Sequence, residues 1–177
     1  LGRVTASDSD SAVQDAAADR LLAIAGDEAQ PAAAAAAAGL LTDSRRLAVL
    51  AKGTAPDQIR EIALSRLSDE RALGGVARHA KVEQTALAAA ARLTSADELF
   101  DTILNSDHKD VALTVFDRVV NADSPDTAQL KTIEARTQQK AVARRARAIL
   151  QAIEDAEAAR RAAEEELRKQ EVLLCEI

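Results

Sequence analysis

The chain is self-similar at an offset of 26 residues, and that offset limits what it can fold into more than any other feature. Leu41, Leu67, Leu93 and Val119 fall on one position of the repeat, and Leu47, Leu73 and Leu99 on another. Arg66, Arg92 and Arg118 stand just before the first of these positions, while Ile59, Thr85 and Val111 recur at the start of each unit. A unit this short cannot bury its own apolar face. It must stack on its neighbours and share a continuous core with them.

Roughly a quarter of the 177 residues are alanine, with only three prolines and six glycines. Alanine is the best helix former, and the branched and aromatic residues that favour strands are sparse, so the whole chain is expected to be helical. The expected fold class is all-α: an α-α superhelix of short antiparallel helix pairs over residues 1–137, followed by a long charged helix over 138–177 that opens a coiled-coil region. A core of Ala, Leu, Ile and Val, with Phe100 and Phe116 as the only aromatics, lets helices approach closely and offers little bulk to anchor a large ligand.

Local signals mark the elements. Ser7 to Ser11 offer N-caps for a helix near 10–25, and Gly26 ends it in the manner of a left-handed C′ residue. Pro31 opens an almost pure alanine helix over 31–41, and Thr42 and Asp43 restart the chain toward a short helix that stops near Gly53 before Pro56 starts another. Ile59, Ile62, Ala63 and Leu67 form one stripe, Ser68 and Asp69 turn the corner, and Leu73, Val76 and Ala77 line the helix taken as its partner. Gly74 and Gly75 sit inside that partner, where each costs about 1 kcal/mol relative to alanine unless another helix lies against it. In the third unit Leu87, Ala90, Ala91 and Leu93 precede Ser95 and Glu98, whose spacing is that of a capping box. A longer corner from Asn121 to Pro125 then breaks the register, and Leu130 arrives 31 residues after Leu99.

Beyond Gln138 nothing breaks a helix. Ile149, Ile153, Ala156, Arg160, Ala163, Leu167, Gln170 and Leu174 recur at steps of four and three, a heptad seam with two polar positions. Such a helix would run on the order of 50 to 60 Å and project beyond the stack. Its acidic and basic residues give several i to i+4 pairs of about 0.2 to 0.5 kcal/mol each, so it is expected to need a partner, self-association included.

At this point the residues carry a resemblance. Arg-Leu-Ser-Asp-Glu-Arg-Ala-Leu (66–73), Arg-Leu-Thr-Ser-Ala-Asp-Glu-Leu (92–99) and Lys-Ala-Val-Ala-Arg-Arg-Ala-Arg-Ala-Ile-Leu (140–150), followed by a charged helix ending Leu174-Cys175, are similar to the amino-terminal region of bacterial proteins of domain-of-unknown-function family 349. The resemblance covers about residues 31 to 177. It implies short HEAT-like helix pairs ahead of long coiled-coil modules, and it brings no catalytic residue with it.

Function is less legible than fold. The formal net charge of −6 opposes general nucleic-acid coating, which needs a surplus of Lys and Arg on some face. Two local surpluses exist. The row Arg66, Arg92 and Arg118 would line one edge of a stack and hold phosphates or an acidic peptide, or its members would be helix-end cations serving C-terminal carbonyls and Asp69, Asp97 or Asp117. Lys140, Arg144, Arg145 and Arg147 form the second cluster, in which Arg144 and Arg147 share a face while Arg145 points elsewhere. Without Tyr or Trp there is nothing to stack single-stranded bases. His79 and His108, far apart and with one cysteine in the chain, do not make a zinc site, Gly74-Gly75 lacks the phosphate-loop pattern, and the carboxylates Asp97, Asp101, Asp107 and Asp110 read as solvated helix faces. The expectation is a non-enzymatic protein-interaction scaffold without catalytic residues, cofactor or metal, the alternative being a nucleic-acid- or ribosome-associated module using those seven cations. Cys175 as the lone cysteine and the lack of an 18-residue apolar run point to a cytoplasmic protein without a membrane partner. The absence of methionine and the end in mid-pattern point to a piece of a longer chain.

Overall fold

A computed structural model describes residues 1–3, 10–122 and 126–175. Ten helices are delimited in these residues: α1 Ser11–Ala25, α2 Pro31–Leu40, α3 Ser44–Lys52, α4 Asp57–Arg66, α5 Glu70–His79, α6 Glu83–Arg92, α7 Ala96–Asn105, α8 Lys109–Ala122, α9 Thr127–Arg136 and α10 Lys140–Cys175. No strand occurs among the described residues. The expected all-α class is what the chain adopts.

The helices pack most extensively as α1 on α2, α3 on α4, α5 on α6, α7 on α8 and α9 on α10. Each pair then meets the next within its own layer: α1, α3, α5, α7 and α9 follow one another in one layer, and α2, α4, α6, α8 and α10 in the other. The partner of α5 is thus α6 and not α4. The corner Leu67-Ser68-Asp69 is the step from one pair to the next, and α6, on which the small residues Ala86, Ala89 and Ala90 are buried, packs on α5 instead.

The repeat positions explain this order. Leu41, Leu67 and Leu93 each follow their helix in extended conformation and are almost wholly buried. Two residues later a side chain caps the next helix: Asp43 accepts from the Arg46 amide at 2.8 Å, Asp69 from Ala72 at 2.7 Å and Ser95 from Glu98 at 3.5 Å. Capping of this kind is worth about 1 kcal/mol per helix and fixes where each one starts. Leu47, Leu73, Leu99 and Leu130 then bury near the starts of α3, α5, α7 and α9, and Ile59, Thr85, Val111 and Val142 near the starts of α4, α6, α8 and α10. Each full burial of a leucine or isoleucine contributes about 1.5 to 3 kcal/mol, so the core is one stripe through all pairs.

Several local expectations change. Gly26 ends α1 with φ −85°, an ordinary right-handed conformation, because its amide closes the last turn onto Ile24 and Leu22 and nothing demands a left-handed residue. Asp10 is the cap of α1, accepting from the Ala12 amide at 2.9 Å; Ser7, Asp8 and Ser9 lie outside the described residues. Val119 is half-buried inside α8, which runs on to Ala122 where the earlier units have already turned, and Ala91 is exposed. Of the corner Asn121 to Pro125, residues 123–125 lie outside the described residues. Asp126 restarts the chain by capping Gln129 at 2.6 Å.

The first turns of α10 belong to the core, through Val142, Ala146 and Leu150. From Glu154 to Gln170 every residue is exposed, which follows from a helix of 36 residues, about 54 Å at 1.5 Å per residue, packing on partners of 10 and 14 residues. Its charges pair along the helix, as Arg160 with Glu164, Arg161 with Glu157 and Lys169 with Glu165.

Gly74 and Gly75 part company. A Cβ on Gly74 would lie 2.0 Å from the Glu98 carboxylate of α7, which reaches over α5 to accept from Arg78 at 2.8 Å, whereas a Cβ on Gly75 would meet nothing within 4 Å. The first glycine makes room for a largely buried ion pair; the second leaves helix propensity unrecovered. Gly75→Ala is therefore expected to stabilise the chain by about 0.5 to 1 kcal/mol, and Gly74→Ala to destabilise it by about 1 kcal/mol as the displaced carboxylate loses Arg78. Urea titrations of both variants check the opposite signs.

Candidate functional site

Helix C-termini leave carbonyl groups without intrahelical donors, and here those donors come from the next pair. Arg66 on α4 donates from Nε to the Leu41 carbonyl beyond α2 at 2.9 Å. Arg92 on α6 donates to the carbonyls of Leu64 and Leu67 at the end of α4. Arg118 on α8 donates to those of Ala90 at 3.2 Å and Leu93 at 2.6 Å at the end of α6. The row predicted from the sequence is real, but each guanidinium serves the preceding unit and not its own helix. Among the described residues none of the three forms an ion pair with Asp69, Asp97 or Asp117. The next counterpart, 31 residues on, is Ile149, so the row ends at Arg118.

A second set of contacts joins the other ends of the helices. The amides of Lys81, Asp107 and Gln138 donate to the carbonyls of Lys52, Arg78 and Leu104 at 2.9, 2.9 and 3.0 Å, donors and acceptors both moving by one repeat at each step. His108 belongs here. Its Nε2 lies 2.7 Å from the Ala80 carbonyl, so that nitrogen carries the proton, and one unit later the Gln139 amide donates to Ser106 at 2.8 Å in the same way. His79 places Nδ1 at 3.0 Å from the Asp107 carboxylate on the surface.

The cluster that opens α10 is divided. Arg145 turns sideways to Asp117 of α8 at 3.0 Å, and Arg147 donates to Glu134 of α9 at 2.6 Å. Lys140 and Arg144 are exposed and form no ion pair among the described residues. Five of the seven predicted cations are thus engaged within the chain.

The expected capping box is half formed. Ser95 caps the Glu98 amide, but the Glu98 carboxylate goes to Arg78, and its place is taken from the preceding unit by Glu70. That carboxylate accepts from the Thr94 hydroxyl and amide and from the Ser95 amide at 3.4 Å. Hydrogen bonds from the Thr94 side chain and then its backbone hold Glu70 below its ordinary value of 4.5.

Sequence reasoning passed over Arg60. Its counterparts Ala34, Ala86 and Ala112 are buried alanines, yet Arg60 is itself only 7% exposed. Its Nε donates to Thr85 Oγ1 at 3.0 Å, and its other nitrogens donate to the Ala55 carbonyl and to Asp57. Thr85 in turn stands where Ile59, Val111 and Val142 are apolar. The two departures from the repeat touch each other, and both line a groove of about 340 Å³ between α4 and α6. The alignment of units contained this signal, as one polar residue at each of two otherwise apolar positions.

Comparison with protein-family models, curated proteins and solved structures finds no match. No helix among the described residues is long and apolar enough to cross a membrane.

Two outcomes follow. Arg92→Ala, which leaves the Leu67 carbonyl to water and the Leu64 carbonyl with the Leu67 amide alone, is expected to destabilise the chain by about 1 to 2 kcal/mol in denaturant titrations, with Arg92→Lys recovering less than half because an ammonium lacks the fork that reaches both. For Glu70 the folded value is lowered, so its contribution is complete above the unfolded value near 4.5 and is lost as the pH falls through the folded value. The stability difference between wild type and Glu70→Gln should be constant from about pH 6 to 8 and should shrink with acidification; a difference unchanged near pH 3 would contradict the assignment.

Proposed function

We propose that this chain is a non-enzymatic protein-interaction scaffold: an α-α superhelix of HEAT-like helix pairs that continues through α10 into a coiled-coil arm, as the resemblance to family 349 implies. The observation that carries the reading is the unit-to-unit bonding at the repeat spacing. A molecule joined only to its neighbours grows by addition, and its two layers offer extended faces whose area scales with the number of pairs. The exposed arm adds a second place for a partner, or for another copy of the chain, to pack.

The charge arrangement favours a protein partner over nucleic acid. Phosphate binding draws on free Lys and Arg, and of the seven candidates Lys140 and Arg144 alone have no internal bond among the described residues. A cytoplasmic location fits the lone cysteine.

Affinity capture of the full-length protein with chemical crosslinking is expected to return a reproducible protein partner, and electrophoretic assays at low salt to detect no duplex DNA or RNA binding. Co-purification of nucleic acid without a protein partner, lost when Lys140 and Arg144 become alanine, would replace this reading with the nucleic-acid one.

A further inference from the structure

A repeat array specifies its core by using the same residue types at equivalent positions, so a buried position that departs from its counterparts without helping the core marks a local task. Arg60 and Thr85 are such positions. A guanidinium in place of an alanine methyl has to be desolvated, and its counter-ion Asp57 is 87% exposed on its side chain, so the pair is a poor source of stability. The larger side chain spans from α4 to Thr85 of α6, and α4 and α6 are the most loosely joined neighbours in their layer, with the groove opening between them.

Resting on the scaffold reading above, we infer that this groove takes a lysine side chain presented by the partner protein. Arg60 contributes no net attraction or repulsion of its own, since Asp57 balances it at contact. Glu61, exposed on the rim one turn after Asp57, forms no ion pair among the described residues, so the groove as a whole is acidic. Leu64, Val82 and Ala88 form an apolar wall suited to an aliphatic stem, while the Glu61 carboxylate, left uncompensated by the Arg60–Asp57 pair, meets the ammonium at its end. The Gln84 side-chain amide, without a partner among the described residues, faces the same space for the backbone of the incoming segment. Arg60 is then a positioning residue, its long side chain bridging the floor of the groove from α4 to Thr85 of α6. The volume of about 340 Å³ lies at the small end of ligand sites, which run from about 300 to 1,000 Å³.

The test is an amide-resonance titration of the 177-residue chain with tetralysine, alongside tetraglutamate and tetraalanine. Tetralysine should shift the amides of residues 57–64 and 84–88 saturably, while the other two peptides leave them in place. Glu61→Gln should weaken this binding about threefold to fivefold. The double variant Arg60→Ala with Thr85→Val restores the residue types of the other units. It should melt no lower than wild type yet lose the site, whereas Arg60→Met with Thr85→Val, which keeps the bulk, should retain it. The inference is overturned if tetraglutamate moves the groove amides, if tetralysine leaves them unmoved at millimolar concentration, if Glu61→Gln binds as tightly as wild type, or if the alanine–valine variant either melts several degrees lower or binds unchanged. Capture separates the two levels of the argument. A partner retained by the alanine–valine variant removes the groove and leaves the scaffold, and no protein captured by wild type removes the scaffold itself.

Discussion

The structure depends on how the unpaired carbonyl groups at helix ends are satisfied. The ten helices delimited in the described residues, most of them about ten residues long, create far more such groups per residue than a few long helices would, and each one buried without a donor costs about 1 to 3 kcal/mol. Here the donors come from the adjacent pair: guanidinium groups at one end of the layers, backbone amides at the other. The polar requirement of one unit is thereby met by the next, and stacking becomes specific in register and not merely apolar. Hydrophobic burial alone would tolerate a slip along the axis; the two rows of hydrogen bonds do not.

The same constraint accounts for where regularity stops. The row of arginines ends at Arg118 because α8 continues past Val119, so the corner that the next arginine would have served is not where the repeat would put it. The insertion between Leu99 and Leu130 moves α9 and α10 five residues along the sequence, yet the amide row continues to Gln138, and the glutamine at 139 replaces the histidine at 108 in the same contact. Beyond Ile153 α10 is exposed through Gln170, its charges paired along its own length.

The groove between α4 and α6 shows what repetition makes visible. In a globular domain a buried arginine bonded to a threonine would be one polar cluster among several. In this chain it stands against three buried alanines at equivalent positions, which separates a requirement of the fold from a requirement of something else. The arginines of the row carry the opposite message. They recur with the helix-end carbonyls they serve.

The amino-acid sequence by itself determined the helical class, the 26-residue period, the inward positions and the arm, because propensity, periodicity and capping act over a few residues and leave their pattern in the chain. Tertiary structure alone decided which helices pair, so that α5 joins α6 across three residues as short as those separating it from α4. It also decided the partner of every long polar side chain. Arg92 reaches the carbonyls of Leu64 and Leu67, Glu70 caps the start of α7 in place of Glu98, and Arg60 meets Thr85, all across about 25 residues of sequence. Such contacts exist only once two units are stacked, and no local spacing can encode them.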